Sequence, residues 1–260
     1  MKINSDRSTA IERALDVIEY MTASQTDLPF SQIFADLNIP RQSLVRILNT
    51  LCDRGIVGRT EQKGFYRLGM KLLYMGTRLK DKISLRTVAW PFMVELSRLT
   101  HKTIELSILD RDQLICIEQI QGDEGVNLYS RVGSVYPYLH AVSVGKIYLA
   151  HMNPARRGQI LERIGLPKVA GNTITDPQVL ERDLETVVEQ GYAFEDQELR
   201  TGVRRVAAPI YDYMDELAGC ISIAAPIFSF KVEVKHRLGK MAVEAARKIS
   251  KGMGQIPEDQ

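Results

Sequence analysis

Between Ile39 and Val57 the chain reads IPRQSLVRILNTLCDRGIV, and its leucines leave few folded forms open. Leu44, Ile47, Leu48 and Leu51 recur at i, i+3, i+4 and i+7, the stripe of a helix that buries one side. Gln42, Arg46 and Asn49 fall on the opposite side, with Arg41 and Ser43 near the helix start. Pro40 suits the N-terminus of such a helix, and Gly55 its C-terminal stop. A polar outer face is either solvated surface or a surface kept for a partner, and the flanking segments decide between them.

Upstream, a helix is expected over residues 8–22, with Ile11, Ala14, Leu15, Ile18 and Met21 as its buried stripe. A loop, ASQTDLP, leads to a short helix over residues 30–37 that buries Ile33, Phe34 and Leu37. Downstream, IVGRTEQKGFYRLG reads as a hairpin, with strands at 56–60 and 65–68 around a polar turn. Helix, helix, turn, helix and hairpin make a winged helix–turn–helix. In that layout the third helix enters the major groove and the hairpin touches backbone or minor groove. Arg46 and Asn49 suit base edges, arginine favouring guanine and asparagine adenine. Arg59, Lys63 and Arg67 belong on the wing near phosphates.

Charge agrees with a polyanion partner at this end. The 260 residues carry a net charge of only +2, yet residues 1–80 hold 12 basic against 8 acidic side chains. From Arg41 to Lys71 there are seven basic residues against Asp53 and Glu61. The rest of the chain holds 22 basic against 24 acidic groups. At 45% hydrophobic and 25% charged, the composition is that of a soluble globular protein. No run is long enough to span a bilayer, and MKINSDRSTAIERAL lacks the apolar core of a signal peptide. Cys52, Cys116 and Cys220 are odd in number and lack CxxC spacing, which argues against disulfides and zinc ribbons. A cytoplasmic protein without metal or cofactor is expected.

Beyond the wing, a helical connector spans residues 70–82, with Leu72, Leu73, Met75, Leu79 and Ile83 on its apolar side and a Met70, Met75, Leu79 stripe suited to a seam. Trp90-Pro91 is expected to break or kink the path before another helix. From Thr103 the period changes. Two strands flank an Arg111-Asp112 turn, and VNLYS begins a strand that leads through a loop to a helix. ARRGQILERIGL and DPQVLERDLETVVEQG read as helices, YAFED, RRVAAPIYD and AGCISIAA as strands, and residues 231–251 as a last helix. Strands and helices mix without a βαβ beat, so this part is α+β with a largely antiparallel sheet.

Taken in order, RALDVIEYM, IPRQSLVRILNTLCDRGIV, GFYRLGMKLLYMG, LHAVSVGKIYLA, GYAFEDQELRTGVRRVAAPI and AGCISIAAP resemble the IclR family of bacterial transcriptional regulators over nearly the whole chain. The resemblance implies a DNA-binding winged helix at 1–69, a linker helix at 70–82 that helps dimerise, and a GAF-like effector-binding domain at 83–260. It implies dimers that often pair as tetramers on operator DNA, and small organic acids, such as keto or sugar acids, as effectors. A repressor of a catabolic operon is the expectation, and not an enzyme. By motif, the effector pocket takes Ser143 and Val144 from HAVSVGK, Glu195, Val203 and Arg205 from FEDQELRTGVRR, and Ser222 and Ala224 from CISIA. Strand alternation agrees: Val203, Arg205 and Ala207 share one face, as do Cys220, Ser222 and Ala224.

Two departures stand out. Arg205 lies where relatives often carry a small residue, and Glu195 where aspartate is common. An inward arginine is costly unless paired. It either clamps an effector carboxylate bidentately, or is neutralised by Glu195 and closes the pocket.

Rival chemistry is thin. Ser143 and Lys146 match S-x-x-K, and Arg200-Thr201-Gly202 mimics its K-T-G partner, but S-D-N is missing. The same serine at a helix start can instead face an anion. VGK lacks the phosphate-loop frame, and His101, His140, His151 and His236 have no zinc spacing. His140 reads as a hydrogen-bonded structural residue, the cysteines as small core residues, and Tyr129, Tyr136 and Tyr138 near the pocket loop either as packing or as a cover over a ligand. Two other functions stay open: an enzyme acting on a small acid, with the winged helix as a protein-interaction module, and a constitutive DNA binder with a closed pocket.

Overall fold

The computed structural model describes residues 9–24, 26–80, 84–123 and 130–256, and the chain divides into two compact units, Met1–Lys82 and Ile83–Gln260. In the first unit, α1 (Thr9–Thr22) buries Val17 and Met21. Ile11 and Leu15 are 62% and 50% exposed, contrary to the expected stripe. At 100° per residue, Leu15 lies about 160° round the helix from Val17. α1 packs chiefly on α3 (Arg41–Asp53) and β3 (Phe65–Leu68), and a narrow Ala14, Val17, Ile18, Met21 strip is what it turns inward.

A two-residue strand follows inside the expected loop, β1 (Leu28–Pro29), and leads straight into α2 (Phe30–Asp36). That helix has two turns and one inward face. Ile33 takes it, while Phe34 stays exposed and stacks on Phe30 at 6.2 Å between centroids. Next comes α3 (Arg41–Asp53), with Leu44 and Leu48 buried and Ile47 and Leu51 half-buried, as its spacing requires. Gly55 stops it at φ +71. The Gly55 N–H bonds to the Cys52 carbonyl and the Ile56 N–H to the Leu51 carbonyl, both at 2.9 Å, which satisfies the last orphan carbonyls. The wing is β2 (Val57–Arg59) against β3 (Phe65–Leu68), with β1 on the other side of β3. The helix α4 (Met70–Lys80) closes the unit with Met70, Leu73, Tyr74 and Met75 exposed. Ser8, the Leu79 side chain, Ile83, Tyr129 and most of VNLYS lie outside the described residues.

The second unit begins with α5 (Leu85–Thr100), which runs unbroken through Pro91. The expected break does not occur: Pro91 and Thr87, whose carbonyl loses its N–H partner, both lie on the exposed side, where the carbonyl is not buried. The hairpin of β4 (Thr103–Asp110) and β5 (Gln113–Ile120) turns at Arg111 and Asp112, both at positive φ, the mark of a two-residue I′ turn. Then come β6 (Val135–Tyr136), a 3-10 turn at Leu139–Ala141, and α6 (Ser143–His151). Asn153 caps α7 (Pro154–Ile164), and Asp176 caps α8 (Pro177–Gln190) by accepting from the N–H groups of Gln178 and Val179. The chain ends with β7 (Ala193–Asp196), β8 (Val203–Tyr211), β9 (Leu217–Pro226) and α9 (Lys235–Gly252). The last helix starts four residues later than expected, because Val232–Val234 forms a 3-10 turn.

The strands make one antiparallel sheet in the order β6-β5-β4-β9-β8-β7. One face buries Ile104, Leu106, Val206, Ile221 and Ile223 beneath α5 and α9. The other carries Cys116, Ala193, Ala207 and Cys220 beneath α6 and α8. This α+β architecture is the expected one. Among the described residues no helix is long and apolar enough to cross a membrane.

Candidate nucleic-acid interface and buried ionic site

On the first unit, Arg41, Gln42, Arg46 and Asn49 are exposed on α3, and Ser43 is half-buried. Arg59, Lys63 and Arg67 are exposed on the wing. Three of these side chains are held. The Arg41 guanidinium lies over the Phe30 ring at 5.9 Å. The Arg59 Nη2 donates to Asn49 Oδ1 at 2.7 Å, tying wing to helix. That bond uses one of the two lone pairs of the amide oxygen and fixes the direction in which the Asn49 amide points.

On the second unit, register gathers polar groups on the sheet face under α6. Arg205 of β8 stands beside Ala224 of β9 and Glu195 of β7. Ser222 stands between Ala207 and Glu105. Arg205 is 3% exposed and both carboxylates are fully buried. Its Nε donates to Glu105 Oε2 at 3.1 Å and its Nη1 to Glu195 Oε2 at 2.8 Å. Burial opposes the guanidinium charge, but the two carboxylates more than offset it and hold the pKa well above the usual arginine value. The guanidinium also lies over the Tyr136 ring, at 5.6 Å.

Glu105 joins this cluster without being expected there from the motifs. Besides Arg205, it accepts from Ser130 Oγ, from Tyr136 OH at 3.1 Å, from Ser222 Oγ at 3.4 Å and from Gln119 Nε2 at 3.4 Å. The signal was present. In TIELSIL, Ile104 and Leu106 face one side, which puts a glutamate and Ser107 on the other side of a strand whose neighbours are apolar. Tyr136 is likewise part of the cluster rather than packing alone.

Ser143 and Val144 open α6, both fully buried. Among the described residues, Ser143 Oγ and Ser107 Oγ are buried without hydrogen-bond partners. Val203 lies at the first position of β8, half-buried. One turn after Ser143, the Lys146 ammonium is spent on Glu198 at 2.7 Å and Asp183 at 2.8 Å, so S-x-x-K supplies no free base. Burial pushes the Glu198 carboxyl up to about 7 despite that ammonium. His140 is buried against the Pro167 carbonyl, and burial lowers its pKa. Cys116 and Cys220 are free buried thiols, and burial pushes Cys116 up to about 12. Among the described residues, no group of three His, Cys, Asp or Glu side chains could hold a metal.

Comparison with known proteins covers both units. A family model described as "Bacterial transcriptional regulator IclR C-terminal" matches residues 77–251, and "IclR helix-turn-helix domain" matches residues 10–61. The HTH-type transcriptional regulator XynR of Escherichia coli (strain K12) is 31% identical over 215 residues, which are 83% of this chain and 85% of that one. The crystal structure of the Agobacterium tumefaciens repressor BlcR is similar in fold, with a TM-score of 0.76 at 19% identity over 97% of this chain and all of that one. An IclR homologue from Microbacterium hydrocarbonoxydans, crystallised with 4-hydroxybenzoate, is 26% identical with a TM-score of 0.60, over 94% of this chain and 99% of that one.

Proposed function

The chain belongs to the IclR family of DNA-binding transcriptional regulators, and from that premise we propose that it represses a catabolic operon under the control of a small organic acid. Residues 1–69 bind the operator, 70–82 link, and 83–260 hold the effector. On the operator, Arg46 and Asn49 read bases from α3, with Arg41, Gln42 and Ser43 at its start. Arg59, Lys63 and Arg67 touch phosphates from the wing. The effector site is Ser143, Val144, Glu195, Val203, Arg205, Ser222 and Ala224. The observation that carries this reading is the buried arginine cluster under α6, which is costly to keep in a core that needs only to pack. The Microbacterium homologue complexed with 4-hydroxybenzoate supports an acid as the ligand. Exposed Met70, Leu73, Tyr74 and Met75 on α4 support a seam with a second copy, hence a dimer or tetramer and a pseudo-palindromic operator. The protein acts where its operator lies, in the cytoplasm.

Ligand binding regulates only if it favours one DNA-binding arrangement over another. Fluorescence anisotropy at fixed salt tests this, comparing DNA upstream of the protein's own gene with a shuffled fragment, with and without keto, sugar and aromatic acids. A preference of at least about a hundredfold for the real fragment, altered by one acid, is expected. Equal, salt-sensitive binding to both fragments would reduce the first unit to a basic patch. A second reading, constitutive DNA binding with a closed pocket, draws on the Arg205–Glu195 contact. It predicts specific DNA binding that no acid alters.

A further inference from the structure

The two carboxylates on Arg205 are not equally held. Glu105 takes five donors from five parts of the chain: Gln119, Ser130, Tyr136, Arg205 and Ser222. Among the described residues Glu195 takes two, Arg205 Nη1 at 2.8 Å and the Leu199 N–H at 3.3 Å. Displacing Glu105 would strand five donors, among them hydroxyls buried in the sheet face. Displacing Glu195 would strand one guanidinium N–H and one backbone N–H. A replacement carboxylate satisfies the guanidinium again. Glu195 is therefore the exchangeable partner and Glu105 the fixed counter-ion.

What Glu195 lets go of matters as much. Its carboxylate holds the Leu199 N–H, in the turn between β7 and β8. That turn also carries Glu198, whose carboxylate meets the buried Lys146 of α6 at 2.7 Å. The Glu198 carbonyl in turn accepts from Thr173 Oγ1 at 2.6 Å. A chain of named contacts thus joins the replaceable carboxylate to α6, whose Ser143 hydroxyl is buried and unpartnered among the described residues.

We propose that Glu195 is a built-in ligand of Arg205, and that a small monocarboxylate acts by taking its place. This rests on the reading of the cluster as the effector site. In the exchange the Arg205–Glu195 ion pair breaks and an Arg205–ligand pair forms, while Glu105 holds the guanidinium throughout. Glu195 swings out of the cluster, the Leu199 N–H loses its acceptor, and the turn that brings Glu198 to Lys146 is freed. Charge sets the ligand class. One guanidinium already faces two carboxylates, so a monocarboxylate preserves the balance when it replaces Glu195, and a dicarboxylate does not. A cationic ligand meets a Glu105 whose oxygens are already taken.

Isothermal titration of the full-length protein with acetate, pyruvate and 4-hydroxybenzoate tests the exchange, using wild type, Glu195→Gln and Arg205→Gln. A closed latch lowers apparent affinity in proportion to its open fraction. Glu195→Gln keeps the shape and gives up the charge. It is expected to bind at least one of these acids about tenfold tighter than wild type, or to bind where wild type does not. Arg205→Gln should bind none. If that variant fails to fold, hydrogen exchange of residues 197–202 in wild type replaces it, and saturating acid should speed exchange at Leu199. Equal or weaker binding by Glu195→Gln, or an unchanged Leu199 amide, overturns the exchange but leaves the effector site standing if Arg205→Gln abolishes binding. Undiminished binding by Arg205→Gln, or no binding by any of the three proteins, overturns the effector reading as well.

Discussion

Asn49 and Arg59 are bonded to each other, whereas Arg46 is exposed and its side chain has no such bond among the described residues, so the side chains of the proposed DNA face differ in freedom. In the proposed operator complex Arg46 reads a base edge from α3. Arg46→Ala is expected to weaken operator binding by about 1–3 kcal/mol and to relax one base position, measured by anisotropy on operators varied one base pair at a time. A loss uniform across all sequences would mark Arg46 as a phosphate contact instead. Glu198 gives a second test at this scale. Its carboxyl titrates near 7 in the folded protein because of burial, against an ordinary value of 4.5. Between those values the native state holds a proton that the unfolded chain has released, so stability falls as pH rises through the window. Urea unfolding at pH 5, 6, 7 and 8 should show wild type losing up to about 3 kcal/mol across that range relative to Glu198→Gln. Parallel profiles would mean that Lys146 keeps Glu198 ionised throughout. Neither residue's state was legible in the sequence. Arg46 shows its side of a helix by spacing alone, whereas Glu198 sits in a turn whose burial depends on Lys146, 52 positions away.

Elements were legible where one face had one job. The stripe of α3 and the alternation of β8 and β9 appear in the structure as their spacing implied. The stripe that spacing predicts for α1 is wider than the one it buries, because periodicity marks apolar residues, not how many of them a small neighbour can cover. Pro91 is expected to break or kink the path because it removes a backbone bond, and only the fold puts both Pro91 and the Thr87 carbonyl on the exposed side of a helix that continues. At α6 the deciding feature is a close approach. A Cβ on Gly145 would lie 2.1 Å from the Leu139 carbonyl oxygen, a backbone atom that cannot step aside like a side chain. Gly145→Ala should therefore cost about 1–3 kcal/mol in chemical denaturation, through displacement of the first turn of α6. A loss under about 0.5 kcal/mol would show that this turn shifts without penalty.

At the scale of the molecule, each unit owns its core. The cluster under the winged helix draws on Val17 to Leu68, and both clusters of the larger unit draw on residues from Leu85 onward. A fragment of residues 84–260 is long enough to bury a core of its own and should melt cooperatively, with amide signals spread as in a folded domain. A broad, non-cooperative melt would show that the first unit is needed to complete it. The sequence by itself determined the α+β class, the winged helix with its basic outer face, and the side of the sheet on which Arg205, Ser222 and Ala224 lie. It did so because periods of 3.6 and 2 are local properties of the chain. Only the tertiary structure decided whom Arg205 meets. Alternation names a face, but the neighbour on that face depends on strand order and register, which are set by pairing between distant segments. The order β6-β5-β4-β9-β8-β7 brings Glu105 to Arg205 across 100 positions of sequence, and with it the fixed half of the ion cluster.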